Sequence, residues 1–576
     1  MRGSTREEAE IKHSKTAEDL IMEDKFEKLA KAYSAGASRL KTWSGFSVKE
    51  VYTPEDTKEL DYEKEIGNPG DYPFTRGIHA TMFRGRVWTK REVAGFGTPK
   101  DTNERVKYLI DEGQSGINII NDLPTAMGVD SDHPMAKEEA GAMGAPFSSL
   151  KDMEEMVEGI PLEKVSMSFN VSTTVSPIVV AQYVAVAQDR KIDLATLRGT
   201  IQNEPLKGRY CGYSPSTNHV DLCLQTSADI IEFCSKYMPL WYTTNVNLYD
   251  LRETGINAAQ EIGFGFAMAI AYIENVLKRG LDIDDFAPRI AFYCSSHIDF
   301  FEEIAKLRAA RRMWARIMKE RYNAKKPKSL TFKFGVHTAG CSLVPQQPLN
   351  NVIRVAYEAL AAVLGGVQSL HSCSYDEPIA IPTEESHRLA LRTQQILACE
   401  TGVATVADPL AGSYYVESLT NKIEEEAQKI LEQIEEMGGM IAAIESGWID
   451  QEIEKAAYQY QREVESKERI VVGVNEFTIP PDEDVQGEYH KTPSEVSEKR
   501  EAALKELRET RDSRKVEEAL KKLREAATTK PRENLLPHII DAIKTYATTG
   551  ETLGTIRMAF GYSYDPFEAL EHPFFA

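Results

Sequence analysis

From residue 116 onward, short β-prone runs alternate with amphipathic helical patterns along the chain. The runs fall at 116–123, 165–171, 197–203, 242–250, 289–296, 330–337, 369–375 and 403–410. The intervals between them carry apolar residues at helical spacing, as at 302–322 and 351–364. Eight strand–helix units predict an α/β fold, a (β/α)8 TIM barrel, because such alternation builds a parallel sheet wrapped by helices. The barrel is placed at 71–415. Before it, residues 1–70 are polar, with an amphipathic stretch at 17–35 and turn-rich residues at 53–72, and read as an N-terminal arm making subunit contacts. After it, 416–473 read as helices packing on the barrel, including an amphipathic helix at 421–437 stopped by Gly438-Gly439. Residues 474–576 read as a Pro- and acid-rich connector and a C-terminal helical extension, with helices at 494–528 and 534–548.

The predicted strands have unusual contents. Barrel interiors are ordinarily filled by branched apolar side chains, yet these strands carry Ser166, Ser168, Asn170, Ser172, Cys294, Ser295, Ser296, Ser372, Cys373 and Ser374. Small polar residues at alternating positions predict an open, hydrophilic axis that a long polar ligand could thread. The alternative is that they face the helices or lie beyond the strand ends.

Composition narrows the partners. The 576 residues include 68 Lys+Arg against 89 Asp+Glu, a net charge of −21, with 42% hydrophobic residues. Global disorder is excluded, and the charge argues against nucleic acid or an anionic membrane as partner. No apolar run spans a membrane, no secretory h-region opens the chain, and the seven cysteines form no Cys-x-x-Cys pair. A reduced cytoplasmic protein without a structural zinc is expected. Against this acidic background, Arg76, Arg84, Arg86, Lys90 and Arg91 lie within sixteen residues. Arginine grasps phosphate in a bidentate fork, so the cluster suits a nucleotide-like anion; a surface ion-pair network is the alternative.

The order of residues here is specific. Residues 72–97 read Tyr-Pro-Phe-Thr-Arg-Gly-Ile-His-Ala-Thr-Met-Phe-Arg-Gly-Arg-Val-Trp-Thr-Lys-Arg-Glu-Val-Ala-Gly-Phe-Gly. Further on come Asp122-Leu-Pro-Thr, Asp130-Ser-Asp, Gly199-Thr-Ile-Gln-Asn, Phe286-Ala-Pro-Arg, Lys306-Leu-Arg-Ala-Ala-Arg, Gln368-Ser-Leu-His, Asp376-Glu and Asp408-Pro-Leu-Ala-Gly-Ser-Tyr-Tyr-Val-Glu. Across residues 45–550 the chain resembles the large subunits of adenosylcobalamin-dependent acyl-CoA mutases, the methylmalonyl-CoA mutase family, and is nearest in type to isobutyryl-CoA and 2-hydroxyisobutyryl-CoA mutases.

The resemblance implies that coenzyme A runs along the barrel axis. It places His79, Thr81, Met82, Arg86, Thr89 and Arg91 on the CoA and substrate path, with Ser168, Gln202 and Arg289 contributing from the strands. Gly95, Leu123, Glu253, Gly340 and Glu377 fall where the family contacts cobalamin or its adenosyl group. The implied reaction is a radical carbon-skeleton rearrangement: hydrogen leaves a methyl group of the acyl chain, the thioester carbonyl group migrates to the adjacent carbon, and hydrogen returns. Tyr249 matches the family and is expected beside the reacting centre.

Several positions depart from the family. Relatives that bind methylmalonyl-CoA place a carboxylate-pairing Arg where this chain has Gly212 or Tyr213, with Arg209 nearby. An unpaired buried carboxylate is costly, so an acyl group without a free carboxylate is expected. Val93 replaces the aromatic residue that packs on the acyl group, as in the 2-hydroxyisobutyryl-CoA type. Where that type has an Asp for the hydroxyl, this chain has Ile120 followed by Asn121. Hydroxylated, isobutyryl-like and pivalyl-like groups stay open. Asp250 stands where relatives use a His to donate to the thioester carbonyl, a role open to Asp only if an apolar site keeps it protonated. His337, where relatives have Gln, is another candidate donor, or else a satisfied core histidine.

The resemblance also implies a Rossmann-like cobalamin-binding module whose Asp-x-His-x-x-Gly loop supplies the lower cobalt ligand. His337-Thr-Ala-Gly340 lacks the Asp, Gly335 standing in its place, and no such module is expected after residue 550. A separate small cobalamin-binding subunit in an α2β2 assembly is therefore expected, with no metal ligands of the chain's own. The alternatives are a catalytically silent assembly subunit, motivated by Asp250, His79 and Cys373 (relatives have Asn), and a methylmalonyl-CoA mutase subunit with a displaced Arg. A barrel lyase or aldolase would want a strand-end Lys or a metal-ligand cluster, which the sequence does not display.

Overall fold

In the computed structural model, residues 26–31, 33, 39–209, 217, 219–480, 482–484, 489–529 and 533–575 are described. Among the described residues ten strand segments occur in chain order: β1 (Thr89–Lys90), β2 (Val93–Ala94), β3 (Ile117–Ile120), β4 (Ser166–Asn170), β5 (Arg198–Ile201), β6 (Trp241–Tyr242), β7 (Thr244–Asn247), β8 (Ile290–Ser296), β9 (Phe334–Thr338) and β10 (Ser369–His371). They pair in parallel as two sheets, β1-β10-β9-β8-β7 and β2-β3-β4-β5-β6. The sheets are two halves of one ring. At the Arg91-Glu92 break between β1 and β2, the Arg91 amide donates to Leu370 (3.0 Å) while the Lys90 carbonyl accepts from Gly116 (3.2 Å). Between β6 and β7, the Thr243 amide donates to Arg289 (3.0 Å). β1 and β2 thus act as one strand, as do β6 and β7, and eight strands close a (β/α)8 barrel.

Two strand expectations need correction. Residues 403–410 form turns and bends, and the strand that completes the ring is 89–94, inside the Arg-rich stretch. The helix expected at 421–437 begins earlier, as Tyr414–Glu436, because the Ser413 hydroxyl caps the Val416 amide at 3.4 Å.

The interior is polar, but only some of the expected residues make it so. Along β8, Ala291 and Tyr293 line the axis while Ile290, Phe292 and Cys294 join the apolar layer beneath the helices, the two-residue alternation of a strand. Ser166, Ser168 and Asn170 face the axis. Others serve the shell: Ser172 Oγ donates to Ala126 (2.8 Å), Ser296 Oγ to Glu358 (2.8 Å), and Ser372 Oγ to Glu92 (2.8 Å). Cys294 packs in that apolar layer and Cys373 packs with Leu343 and Val355.

Two apolar layers enclose the ring. One joins helices Ala258–Leu277, Phe300–Arg316 and Tyr414–Glu436. The other joins Ser176–Asp189 to the C-terminal helices Ser513–Thr528, Leu536–Lys544 and Thr549–Ala559. In Ser513–Thr528 the buried Val516, Leu520 and Leu523 form one stripe, and the charged remainder faces solvent. Residues 39–44 lie on the same chain's barrel: Arg39 pairs with Asp299 (2.9 Å) and Ser44 Oγ donates to Glu302 (2.8 Å). Most of the amphipathic stretch at 17–35 lies outside the described residues. Among those described, no helix is long and apolar enough to cross a membrane.

Candidate active site

A cavity of about 540 Å³ occupies the barrel axis. Its entrance, at the N-terminal ends of the strands, is cationic: Arg86, Arg198, Arg289 and Lys333 line it, with His79, which burial and these charges keep below the ordinary histidine range, among them. Burial, then the charges of Arg289 and Lys328, push Lys333 down to about 7. Deeper in, Arg91 donates to the Ile117 carbonyl (3.0 Å) and Ser166 Oγ (2.7 Å), its Nε has no partner, and burial lowers it to about 10. Among the described residues Arg86, Arg91, Arg289 and Lys333 make no ion pair, so the cavity offers uncompensated positive charge to an anion.

The Arg-rich stretch is divided in its roles. Arg86 and Arg91 line the cavity, whereas Arg76 pairs with Asp408 at 3.5 Å and Lys90 lies over Trp88 at 5.6 Å. Arg84 is exposed. Of the five basic residues, Arg86 and Arg91 alone line the cavity.

At the far end the aromatic rings form a row. Tyr293 lines the cavity and lies 5.7 Å from Tyr249, which stacks on His337 at 4.1 Å; His337 in turn lies 4.0 Å from His371. Burial, with His371 beside it, pushes His337 down to about 3, and its Nδ1 donates to the Thr338 carbonyl at 2.7 Å. His337 is therefore neutral, with Nε2 an acceptor.

His371 is the opposite case. Burial works against its charge, but Glu92 at 2.9 Å and Glu377 at 3.8 Å overcome that and raise it to about 9. Burial likewise opposes the Glu377 carboxylate, yet the His371 interaction holds it down at about 2. His337, His371, Cys373 and Glu377 offer donor atoms within 4.8 Å of one another, a cluster the sequence did not display. These donors already have protein partners: His371 between its two glutamates, His337 and Cys373 on the Thr338 carbonyl (2.7 and 3.2 Å), and Glu377 on the Ser374 amide (2.6 Å).

Glu253 accepts from the Cys341 amide at 2.7 Å, its second oxygen has no partner, and burial raises it to about 7. A Cβ on Gly340 would sit 3.0 Å from Glu253 Oε2 and 3.1 Å from the Tyr249 hydroxyl. Gly95 has φ +155°, and a Cβ there would sit 2.5 Å from the Ile120 carbonyl.

The remaining expected residues take the following places. His79, Met82, Arg86, Thr89, Arg91, Ser168, Gln202 and Arg289 line the cavity, whereas Thr81 is exposed outside it. Val93 continues the inward face of Thr89 and Arg91, and Ile120 that of Asn118; Ile120 is 37% exposed at the C-terminal rim. Asn121 turns away, donating to the Asp122 carbonyl (2.7 Å) and accepting from the Ser172 amide (3.3 Å). Leu123 opens a short helix on the same rim, capped by Asp122. Asp250 lies against Lys207 in an ion pair, and the Lys207 Nζ also donates to Gln202 Oε1 at 3.3 Å. Gly212 and Tyr213 lie outside the described residues. Sequence reasoning passed over Lys207, Lys333, Tyr293 and Glu92. Glu92, inside the quoted stretch 72–97, and His371, the last residue of Gln368-Ser-Leu-His, carried a signal without being singled out.

The model of the methylmalonyl-CoA mutase family matches residues 41–562. The chain is 42% identical over 520 residues to the 2-hydroxyisobutanoyl-CoA mutase large subunit of Aquincola tertiaricarbonis, covering 90% of this chain and 92% of that protein. It is 40% identical to the methylmalonyl-CoA mutase of Cereibacter sphaeroides, over 93% of this chain and 74% of the relative. With the human mitochondrial methylmalonyl-CoA mutase it shares 36%, over 90% and 68%.

Proposed function

Since the chain belongs to the methylmalonyl-CoA mutase family, we propose that it is the substrate-binding large subunit of an adenosylcobalamin-dependent mutase acting on a branched acyl-CoA without a free carboxylate. The acyl group is 2-hydroxyisobutyryl-, isobutyryl- or pivalyl-like.

The observation that carries this reading is the axial cavity, cationic at its entrance and leading to Tyr293 and the Tyr249 row. Arg86, Arg289 and Lys333 suit the phosphates of coenzyme A at the mouth. The polar walls at Ser166, Ser168 and Thr200 suit its amide-bearing arm. The acyl group then reaches the Val93 and Tyr249 end, where an aliphatic side chain at 93 leaves room for branching. Lys207 reaches the wall at Gln202 but is balanced by Asp250, so a substrate carboxylate there would meet a like charge.

Adenosylcobalamin fits the C-terminal rim by two features. Gly340 leaves beside Glu253 and Tyr249 a space that a Cβ would fill, and the buried Glu253 Oε1 has no hydrogen-bond partner. When bound, the cofactor supplies the radical that removes hydrogen from the acyl chain. The chain's own task is to hold the substrate carbonyl, exclude water and fix the rings around the reacting carbon. A relative is named a large subunit; a small cobalamin-binding partner would supply the lower cobalt ligand, in an α2β2 assembly.

The test is reconstitution with such a small subunit and adenosylcobalamin, followed by mass-resolved product analysis over a panel of branched acyl-CoAs. Isomerisation of uncharged acyl groups supports the reading. A formed complex that isomerises none of them overturns it in favour of a silent assembly subunit. Preference for methylmalonyl-CoA overturns the substrate class.

A further inference from the structure

Four metal-ligating side chains, those of His337, His371, Cys373 and Glu377, meet at the C-terminal ends of β9 and β10, with donor atoms all within 4.8 Å of one another. The sheet brings them there. His337 and His371 are direct partners in the register of β9 and β10, and each stands two residues beyond a cavity-lining residue, Gly335 or Ser369. Both therefore belong to the inward face of the barrel. Cys373 follows His371 by another two residues, and Glu377 sits on the turn beyond. The first three are buried, while Glu377 is partly exposed and leaves a route in from the rim.

The hydrogen bonds around the set are those of oriented ligands. His337 donates from Nδ1 to the Thr338 carbonyl at 2.7 Å, which leaves the lone pair on Nε2. His371 Nδ1 lies 2.9 Å from Glu92 Oε2. The Val93 amide also approaches that nitrogen, at 3.1 Å, but a carboxylate only accepts, so Nδ1 carries the proton. Glu92 is itself buried and held by Ser372 Oγ and Gln394 Nε2, both at 2.8 Å. A histidine tied through one nitrogen to a carboxylate or main-chain carbonyl presents the other to a metal. Both histidines are tied in this way, and His371 Nε2 faces Glu377 at 3.8 Å, beyond hydrogen-bond length.

We propose that these four residues form a site for one zinc-class divalent ion, ligated by His337 Nε2, His371 Nε2, Cys373 Sγ and a Glu377 oxygen, with Glu92 and the Thr338 carbonyl orienting the imidazoles. Two nitrogens, a sulfur and an oxygen suit a borderline-soft, four-coordinate ion and disfavour Mg2+ and Ca2+, which take oxygen ligands. Donors around such an ion stand about 3.3–3.8 Å apart, so the set draws inward on binding. Coordination replaces the Cys373 bond to the Thr338 carbonyl and the long His371–Glu377 contact. The Cys373 thiol and His371 Nε2 give their protons to water, and the charge of the ion makes up for those lost. The site runs against the absence of metal ligands expected from the sequence, because its donors come from separate strands. It does not depend on the acyl-CoA reading.

The test uses the full chain, stripped with a chelator and titrated with Co2+ as a spectroscopic probe. One ion per chain should bind, with a thiolate-to-cobalt charge-transfer band that Zn2+ abolishes by displacement. Cys373→Asn should lack that band, whereas Cys341→Ser and Cys399→Ser, at the exposed cysteines, should keep it. His337→Gln should weaken Zn2+ binding by about 100-fold, and Glu92→Gln, which touches no ion, by about 10- to 100-fold. Cys373→Asn and His337→Gln install residues that relatives carry at these places, which keeps the fold. No charge-transfer band in the wild type, a band that survives in Cys373→Asn, or undiminished Zn2+ affinity in His337→Gln overturns the site.

Discussion

Tyr249 lies nearly flat against His337, ring centroids 4.1 Å apart and planes inclined by 27°. Such a stack brings a neutral imidazole against a phenol at the end of the axial cavity. The order Tyr293, Tyr249, His337, His371 then passes from the cavity wall to a charged histidine within four rings. His337 separates the Tyr249 end of the cavity from the Glu92–His371–Glu377 charges, and it does so as an uncharged group because burial holds it near 3.

His337→Gln should therefore leave the pH–rate profile unchanged over roughly pH 5 to 9, since no proton is gained or lost by this residue there. Turnover should stay within about threefold, whereas Tyr249→Ala, which removes the ring itself, should cost at least the ~0.5–1.5 kcal/mol of a ring pair. Steady-state rates of both variants across that range check this. An ionisation near neutrality that disappears in His337→Gln would show that His337 titrates during turnover.

The Glu92–His371–Glu377 set has a pH signature of its own. His371 titrates near 9 in the folded protein against its ordinary 6.5, so its contribution is complete below the ordinary value and is lost as pH rises through 9. The shift corresponds to stability on the order of 3 kcal/mol. Glu377, lowered to about 2, has the opposite sense: its contribution is present above 4.5 and lost as pH falls through 2. His371→Asn should thus destabilise the chain by about 3 kcal/mol at pH 6 and by clearly less at pH 10. Denaturant titrations at both pH values give the comparison. The same loss at both would mean that His371 is neutral in the native protein.

The strands were legible wherever β-prone runs were long enough to alternate, as in β4, β5 and β8. The strand at 89–94 was not, because it is broken at Arg91-Glu92 and its inward Thr89 and Arg91 are polar. The apolar run at 403–410 misled for the converse reason: Asp408 adopts a positive φ of 47°, and the segment carries the carboxylate that Arg76 and Arg308 engage. Individual cavity residues were read from a resemblance, and the cavity contains eight of the ten expected on the CoA and substrate path. What stayed hidden depends on distance in the chain. Lys207 and Asp250, or Glu92 and His371, become partners only when different strands are brought together, and a single sequence has no local pattern that marks such pairs.

In the proposed reading, Val93 sets the width of the acyl end. It follows Thr89 and Arg91 on the inward face, and its neighbour across the sheet is Asn118, which lines the cavity. Val93→Phe should fill the space that branching needs. The kcat/KM for a pivalyl-like group should fall about 10- to 100-fold, with a smaller effect on an unbranched acyl group of equal charge. Competition between two such substrates reads the ratio directly. An unchanged ratio would mean that the side chain at 93 does not meet the acyl group.

Substitutions at Gly95 and Gly340 test the fold and the proposed cofactor site separately. At Gly95 the backbone has φ +155° and a Cβ would lie 2.5 Å from the Ile120 carbonyl, a main-chain atom that cannot step aside without moving β3. Gly95→Ala should lower stability by about 1–3 kcal/mol, visible as an earlier denaturation midpoint. At Gly340 the backbone is ordinary and the neighbours are the side-chain oxygens of Glu253 and Tyr249 at 3.0 and 3.1 Å. Small side-chain shifts accommodate the methyl there, so Gly340→Ala should keep the wild-type midpoint. Its methyl would occupy the space beside Glu253, however, and adenosylcobalamin titration of the reconstituted complex should show affinity reduced by about tenfold or more. Gly340→Ala with unaltered cofactor affinity would place the cofactor elsewhere on the rim, whereas a lowered midpoint would make Gly340 a residue of the fold.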